Sequence, residues 1–145
     1  MKKLIMLFVF TLVSSLNFTS CTSDNESSSS SSIVGKWNFS KVSITSSGVT
    51  SPEEDWDENE PGCPKNYVEF KTGGVFNDAS YSGSTCVLDI SSGTWAQSGS
   101  TVTLTDGTEV ITFQVVSVTS STLKVKVTET DNGVTITLNI TFTKA

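Results

Sequence analysis

Three cysteines and one crowded run of carboxylates are the residues in this 145-residue chain with the most obvious capacity for chemistry. Cys63 and Cys86 sit in the body of the chain, and Cys21 follows an apolar N-terminal stretch. Glu53, Glu54, Asp55, Asp57, Glu58 and Glu60 surround Trp56 in the segment SPEEDWDENEPG. A thiol nucleophile needs a base, and the chain has no His. The same absence removes Ser-His-Asp catalysis and the commonest transition-metal ligand. Clustered carboxylates offer the hard oxygen ligands that suit Ca²⁺, but the Asp-x-Asp-x-Asp-Gly spacing is missing, so the run reads as a solvated loop. Trp56 has three readings: a lid, a contact for a protein partner at residues 53–60, or packing on the domain wall. The other acids, Glu69, Asp78, Asp89, Asp106, Glu109, Glu129 and Asp131, fall at turns or on strand faces expected to look outward. Their spacing assembles no general acid–base pair. The expectation is a binding protein without metal or cofactor, not an enzyme.

Charge narrows the partners. Asp+Glu is 15 against 9 Lys+Arg, all of them Lys, for a net charge of −6. Nucleic acid is excluded as a partner, since the backbone would be repelled and no guanidinium fork is present to read it.

The first residues read as an address. Met1-Lys2-Lys3 is a short positive region, and Leu4 to Val13 is an apolar core too short to span a bilayer. Small residues then lead into Thr19-Ser20-Cys21. Thr22 to Ser32, TSDNESSSSSS, holds no apolar residue and has a random-coil reach of roughly 17–20 Å. The expected division is a signal peptide over 1–20, Cys21 and a tether over 21–32, and one domain over 33–145. In an exported, oxidising setting the two remaining cysteines are expected to pair as a Cys63–Cys86 disulfide.

Period-two patterning dominates the domain. Val134, Ile136, Leu138, Ile140 and Phe142 alternate with Thr135, Thr137, Asn139 and Thr141. Leu123, Val125 and Val127 form another row, as do Ile111, Phe113 and Val115 before a slip at Val116 that predicts a bulge. Asn132-Gly133 and Asp106-Gly107 are strong hairpin signals. Eight strands are expected, at about 35–44, 66–71, 74–81, 92–98, 101–105, 109–118, 122–130 and 133–143. Short links make them antiparallel and sequential, and closure into an up-and-down barrel removes the exposed edges.

Two resemblances follow from these residues. Thr19-Ser20-Cys21 resembles the lipobox of bacterial lipoproteins, with Phe18 where that motif has Leu, and Ser23-Asp24-Asn25-Glu26 is similar to the acidic tag of surface-exposed Bacteroidetes-type lipoproteins. That likeness implies a lipid on Cys21, anchorage to the outer membrane and exposure at the cell surface. Gly35-Lys36-Trp37, Cys63, the Phe70 to Phe76 hairpin, Cys86, Gly93-Thr94-Trp95 and the closing Ile140 to Lys144 resemble the lipocalin-like domain of such lipoproteins. The likeness implies an all-β, eight-stranded antiparallel up-and-down barrel with Trp37 plugging one end. Where lipocalins lay an Arg across that Trp, Lys144 is the nearest substitute. The implied function is to hold a small apolar ligand in the barrel, with Trp37, Phe39, Phe70, Phe76, Trp95 and Phe113 as candidate contacts. The same bulky residues suit a filled core, which leaves two other roles open: a protein- or glycan-binding surface module, or a structural envelope component.

Overall fold

Every apolar row of the sequence becomes a strand with one face turned to a common interior. The computed structural model describes residues 32–131 and 133–145; the signal segment, Cys21, the tether up to residue 31 and Asn132 of the Asn-Gly turn lie outside the described residues. In chain order the strands are β1 (Gly35–Ser46), β2 (Val49–Thr50), β3 (Glu54–Asp55), β4 (Tyr67–Lys71), β5 (Val75–Ser82), β6 (Val87–Ser98), β7 (Thr101–Asp106), β8 (Glu109–Val118), β9 (Thr122–Asp131) and β10 (Val134–Lys144). No helix occurs among the described residues.

From β4 to β10 each strand pairs antiparallel with the next, β1 pairs with β4, and β10 returns to β1. Eight long strands therefore close into an up-and-down barrel, as the short links demand. The slip at Val116 is a bulge, because the β8–β9 register shifts between Val115 and Ser117. A second shift, between Phe39 and Lys41 on β1, was not signalled by the alternation. Two differences from the expected strands have simple causes. The first loop adds β2 and β3, which pair along β1 where β4 no longer reaches it. β6 begins at Val87, not near residue 92, because β5 offers an unpaired edge as far as Ser82. Val87, Leu88 and Ile90 break strict alternation, so the strand pattern was hidden there.

Phe76 and Gly93 face each other across β5 and β6. A Cβ on Gly93 would lie 2.6 Å from Phe76 Cε1 and against the Thr105 carbonyl oxygen. Only glycine lets the Phe76 ring lie flat on that strand.

Candidate functional site

Pairing partners in an antiparallel sheet share a face, so the register separates the inner wall from the outer. Along β10 the inward row runs from Phe142, 5% exposed, through Ile140 at 8% and half-buried Leu138 to Ile136 at 43% and Val134 at 50%. Along β1 it runs from Trp37 at 1% to Ile44 at 47%. On β9, Leu123 and Val125 are buried, Val127 is half-buried and Glu129 is exposed. The lower half of the barrel is thus packed solid, and the upper half is a mouth whose inward side chains meet water.

The six aromatic candidates all belong to the packed half. Trp37, Phe70, Phe76 and Phe113 are buried, while Phe39 and Trp95 are half-buried against them. Phe70 meets Trp95 edge-on at 5.5 Å and Phe113 at 6.3 Å between ring centroids. Phe39 lies 4.7 Å from Phe142. Each such ring contributes about 1.5–3 kcal/mol by burial, and together they form the floor below the mouth.

The mouth has two unlike sides. Ile44, Leu138 and Val127 share a face through their register, joined by Ile136, Val134 and, from β8, Ile111. On β5 and β6 the inward row above Phe76 and Gly93 is polar: Asp78 pairs with Ser91, and Ser80 with Asp89. These acids, with Glu129, were expected to look outward. The register turns them inward instead, and the open mouth explains why that is tolerated: an inner position near the rim keeps its carboxylate in contact with water. Asp78 reaches water while protein surrounds most of its carboxyl. That burial pushes it above its ordinary value, a hydrogen bond with the Ala79 backbone opposes the shift, and the charge of Glu58 adds to it.

Residues 33–125 match the lipocalin-like domain family. The chain belongs to that family. Its barrel is similar to a lipocalin-like protein from Bacteroides uniformis, with a TM-score of 0.54, 16% identity, and coverage of 78% of this chain and 98% of that one. A protein from Bacteroides eggerthii gives 0.52 and 12%, with 77% and 98% covered. A more distant likeness, TM-score 0.45 and 19% identity, is to bovine odorant binding protein in complex with undecanal, covering 83% of this chain and 77% of that chain. No curated protein matches the chain in sequence.

In this lipocalin-like domain Trp37 closes the end opposite the mouth. Its indole Nε1 donates to the Ile33 carbonyl at 2.7 Å. Lys144 takes the place across the ring: its Nζ stands 4.1 Å from the ring centroid and donates to the Val34 carbonyl at 3.3 Å. Gly35, with φ +130, leaves room for that lysine, since a Cβ there would strike Nζ.

The first loop completes the mouth's wall. Trp56 passes inside, stacks on Phe39 at 4.6 Å and is half-buried against the core; of its three readings the geometry matches packing on the wall. The disulfide Cys63–Cys86 ties this loop to the β5–β6 turn. Asn66, 5% exposed, is a peg that the sequence did not flag. Its side chain donates to the Glu58 carbonyl and accepts from the Tyr81 amide, both at 2.8 Å, while its amide donates to Asn59 Oδ1 at 2.8 Å. Asparagine ahead of a strand carries no distinguishing signal, because a lone Asn reads equally as a turn residue.

In the acidic loop Lys41 and Asp55 pair at 2.8 Å on the outer face. Their mutual hydrogen bond raises Lys41 and lowers Asp55. Both are exposed, so the pair adds little stability. Among the described residues no group of acids gathers as a cation site. A separate cleft of about 360 Å³ lies beside the rim, lined by Thr45, Ser47, Gly133, Val134 and Thr137 among others. Thr45 and Thr137 pair on the outer face, so this cleft opens on the outside of the barrel and shares Val134 with the rim of the mouth.

Proposed function

We propose that this lipocalin-like domain receives a small, largely apolar molecule in its mouth and is held at a membrane by a lipid on Cys21. The observation that carries the binding half is the exposure gradient: Ile44, Ile136 and Val134 point inward yet stay 47%, 43% and 50% exposed. Apolar side chains left in water on a concave wall gain by covering, at about 0.8 kcal/mol for each methylene a ligand buries. The aromatic candidates serve as the floor on which such a ligand rests, with Trp95 and Phe39 nearest to it in exposure. The anchoring half is supported by the apolar leader, the small residues before Cys21 and the polar tether. Acyl-lipid anchorage would place the domain within roughly 17–20 Å of the bilayer surface by the tether's reach.

The test is fluorescence titration with N-phenylnaphthylamine, a neutral apolar probe. The parent protein is expected to bind it, and Ile136→Trp, which fills the mouth at a position already half in water, is expected to weaken binding at least about tenfold with unchanged melting. Absence of probe binding, or binding indifferent to Ile136→Trp, refutes the reading. Cys21→Ser is expected to move the protein from the membrane to the soluble fraction; retention on membranes refutes the anchor.

A further inference from the structure

The two sides of the mouth differ in charge as well as polarity. By register, Val42 carries Glu54 on its face, Phe76 leads to Asp78, Gly93 leads to Asp89, and Leu104 and Ile111 lead to Asp106 and Glu109. Glu129 pairs with inward Ile136. Six carboxylates therefore face or rim the mouth. No lysine joins them among the described residues. Lys36 lies over the outward Tyr67 ring, Lys41 pairs with outward Asp55, and Lys71 reaches outward Glu69. Lys124 and Lys126 pair with outward Thr141 and Asn139. Lys144 caps the closed end, and Lys65 lies exposed in the first loop. Asp78, Asp89, Asp106 and Glu109 stand on β5 to β8, away from the apolar wall of Ile44, Ile136 and Val134, while Glu54 and Glu129 flank that wall.

We infer that the mouth is built for a single-chain amphiphile with a positively charged, hydrogen-bond-donating head, its alkyl chain against the β10–β1 wall and its head toward Asp78 and Asp89. This rests on the reading of the mouth as a binding site and names the ligand class. A cationic head meets carboxylates and serine hydroxyls that accept hydrogen bonds; a carboxylate head meets only like charge, with no cation on the wall to relieve it. Unit charges a few ångströms apart near a protein surface interact by enough to change affinity about tenfold or more.

The experiment displaces N-phenylnaphthylamine from the full-length protein with three ligands of one chain length, dodecylamine, dodecanol and dodecanoate, each below its micelle-forming concentration at neutral pH. Dodecylamine is expected to bind at least about tenfold more tightly than dodecanoate, with dodecanol between them. Asp78→Asn and Asp89→Asn, made singly, are each expected to narrow that gap by weakening dodecylamine more than dodecanol. Dodecanoate binding as tightly as the amine, or dodecanol binding tightest, overturns the charge assignment and leaves the mouth a binding site. Failure of all three to displace bound probe, or of the probe to bind, overturns the reading beneath it.

Discussion

Breaking the Cys63–Cys86 bridge is the perturbation whose size follows most directly from the chain. The bond spans a sequence separation of 23, so chain-entropy reasoning assigns it about 3.4 kcal/mol through restriction of the unfolded ensemble. One cost offsets this. Cys86 sits at φ +52, in the left-handed region that a non-glycine residue avoids, and release of the bond lets it relax by about 1 kcal/mol. The net loss is about 2–2.5 kcal/mol. For a domain of this size that lowers the melting temperature by about 8–10 °C. Cys63→Ser, Cys86→Ser and the double variant should all show the same loss, because either change removes the whole bond. Thermal melts followed by near-ultraviolet circular dichroism, with reduced parent protein as a fourth sample, measure it. Single variants that melt with the parent would refute the reasoning. Losses that add in the double variant would show that the thiols act separately.

Three other changes probe the packed half and the mouth. Gly93→Ala drives a methyl into Phe76 and the Thr105 carbonyl and should cost about 1–3 kcal/mol in urea denaturation; an unchanged midpoint would mean that the two strands yield freely there. Lys144→Ala removes the ammonium over Trp37 and its bond to Val34, about 1–2 kcal/mol together, and Lys144→Arg should restore it; equal melting of parent and alanine variant would rule the contact out. Burial holds Asp78 above its ordinary carboxyl value. The stability that this group contributes is therefore complete below the ordinary carboxylate range and is lost as pH rises through the raised value. Asp78→Asn should melt higher than the parent at neutral pH, with the difference closing in acid. A variant less stable than the parent at neutral pH would contradict that sign.

How much was legible depends on what each residue contends with. The β9–β10 hairpin was plain, because in β10 five apolar residues alternate with four polar ones and any one-residue slip would turn the whole row to water. The barrel's closure followed from short links and the need to hide two edges. The upper part of β6 was not legible, because Leu88 and Ile90 turn outward beside Tyr81 and Ala79 while Asp89 and Ser91 turn inward, the reverse of the usual pattern. The polarity of the mouth was hidden for a related reason. Asp78 and Asp89 read as outward because acids usually are; the rule weakens near an open rim, where inner positions stay hydrated. The aromatic set was legible as an inward row, but composition alone could not separate floor from wall, since that depends on height along the barrel axis.

The same geometry explains why the first loop matters more than a solvated acidic run should. β1 is held by β10 from Trp37 to Ser46, yet it meets β4 only from Gly35 to Asn38. Above that level the barrel would stand open along one side. β3 lies against Lys41 and Val42, Trp56 fills the gap onto Phe39, Asn66 pegs the loop to β5 at Tyr81, and the disulfide secures its far end to the β5–β6 turn. Glu58, carried by this loop and tied through Asn66 to the strand of Asp78, raises that carboxyl through its charge. The loop is therefore one more wall segment of the mouth, and its Glu54 and Glu58 add negative charge to that of Asp78 and Asp89. A substitution that loosens this segment should act on ligand affinity more than on the packed floor, because, of the floor's rings, it is Phe39 on which the loop's Trp56 stacks.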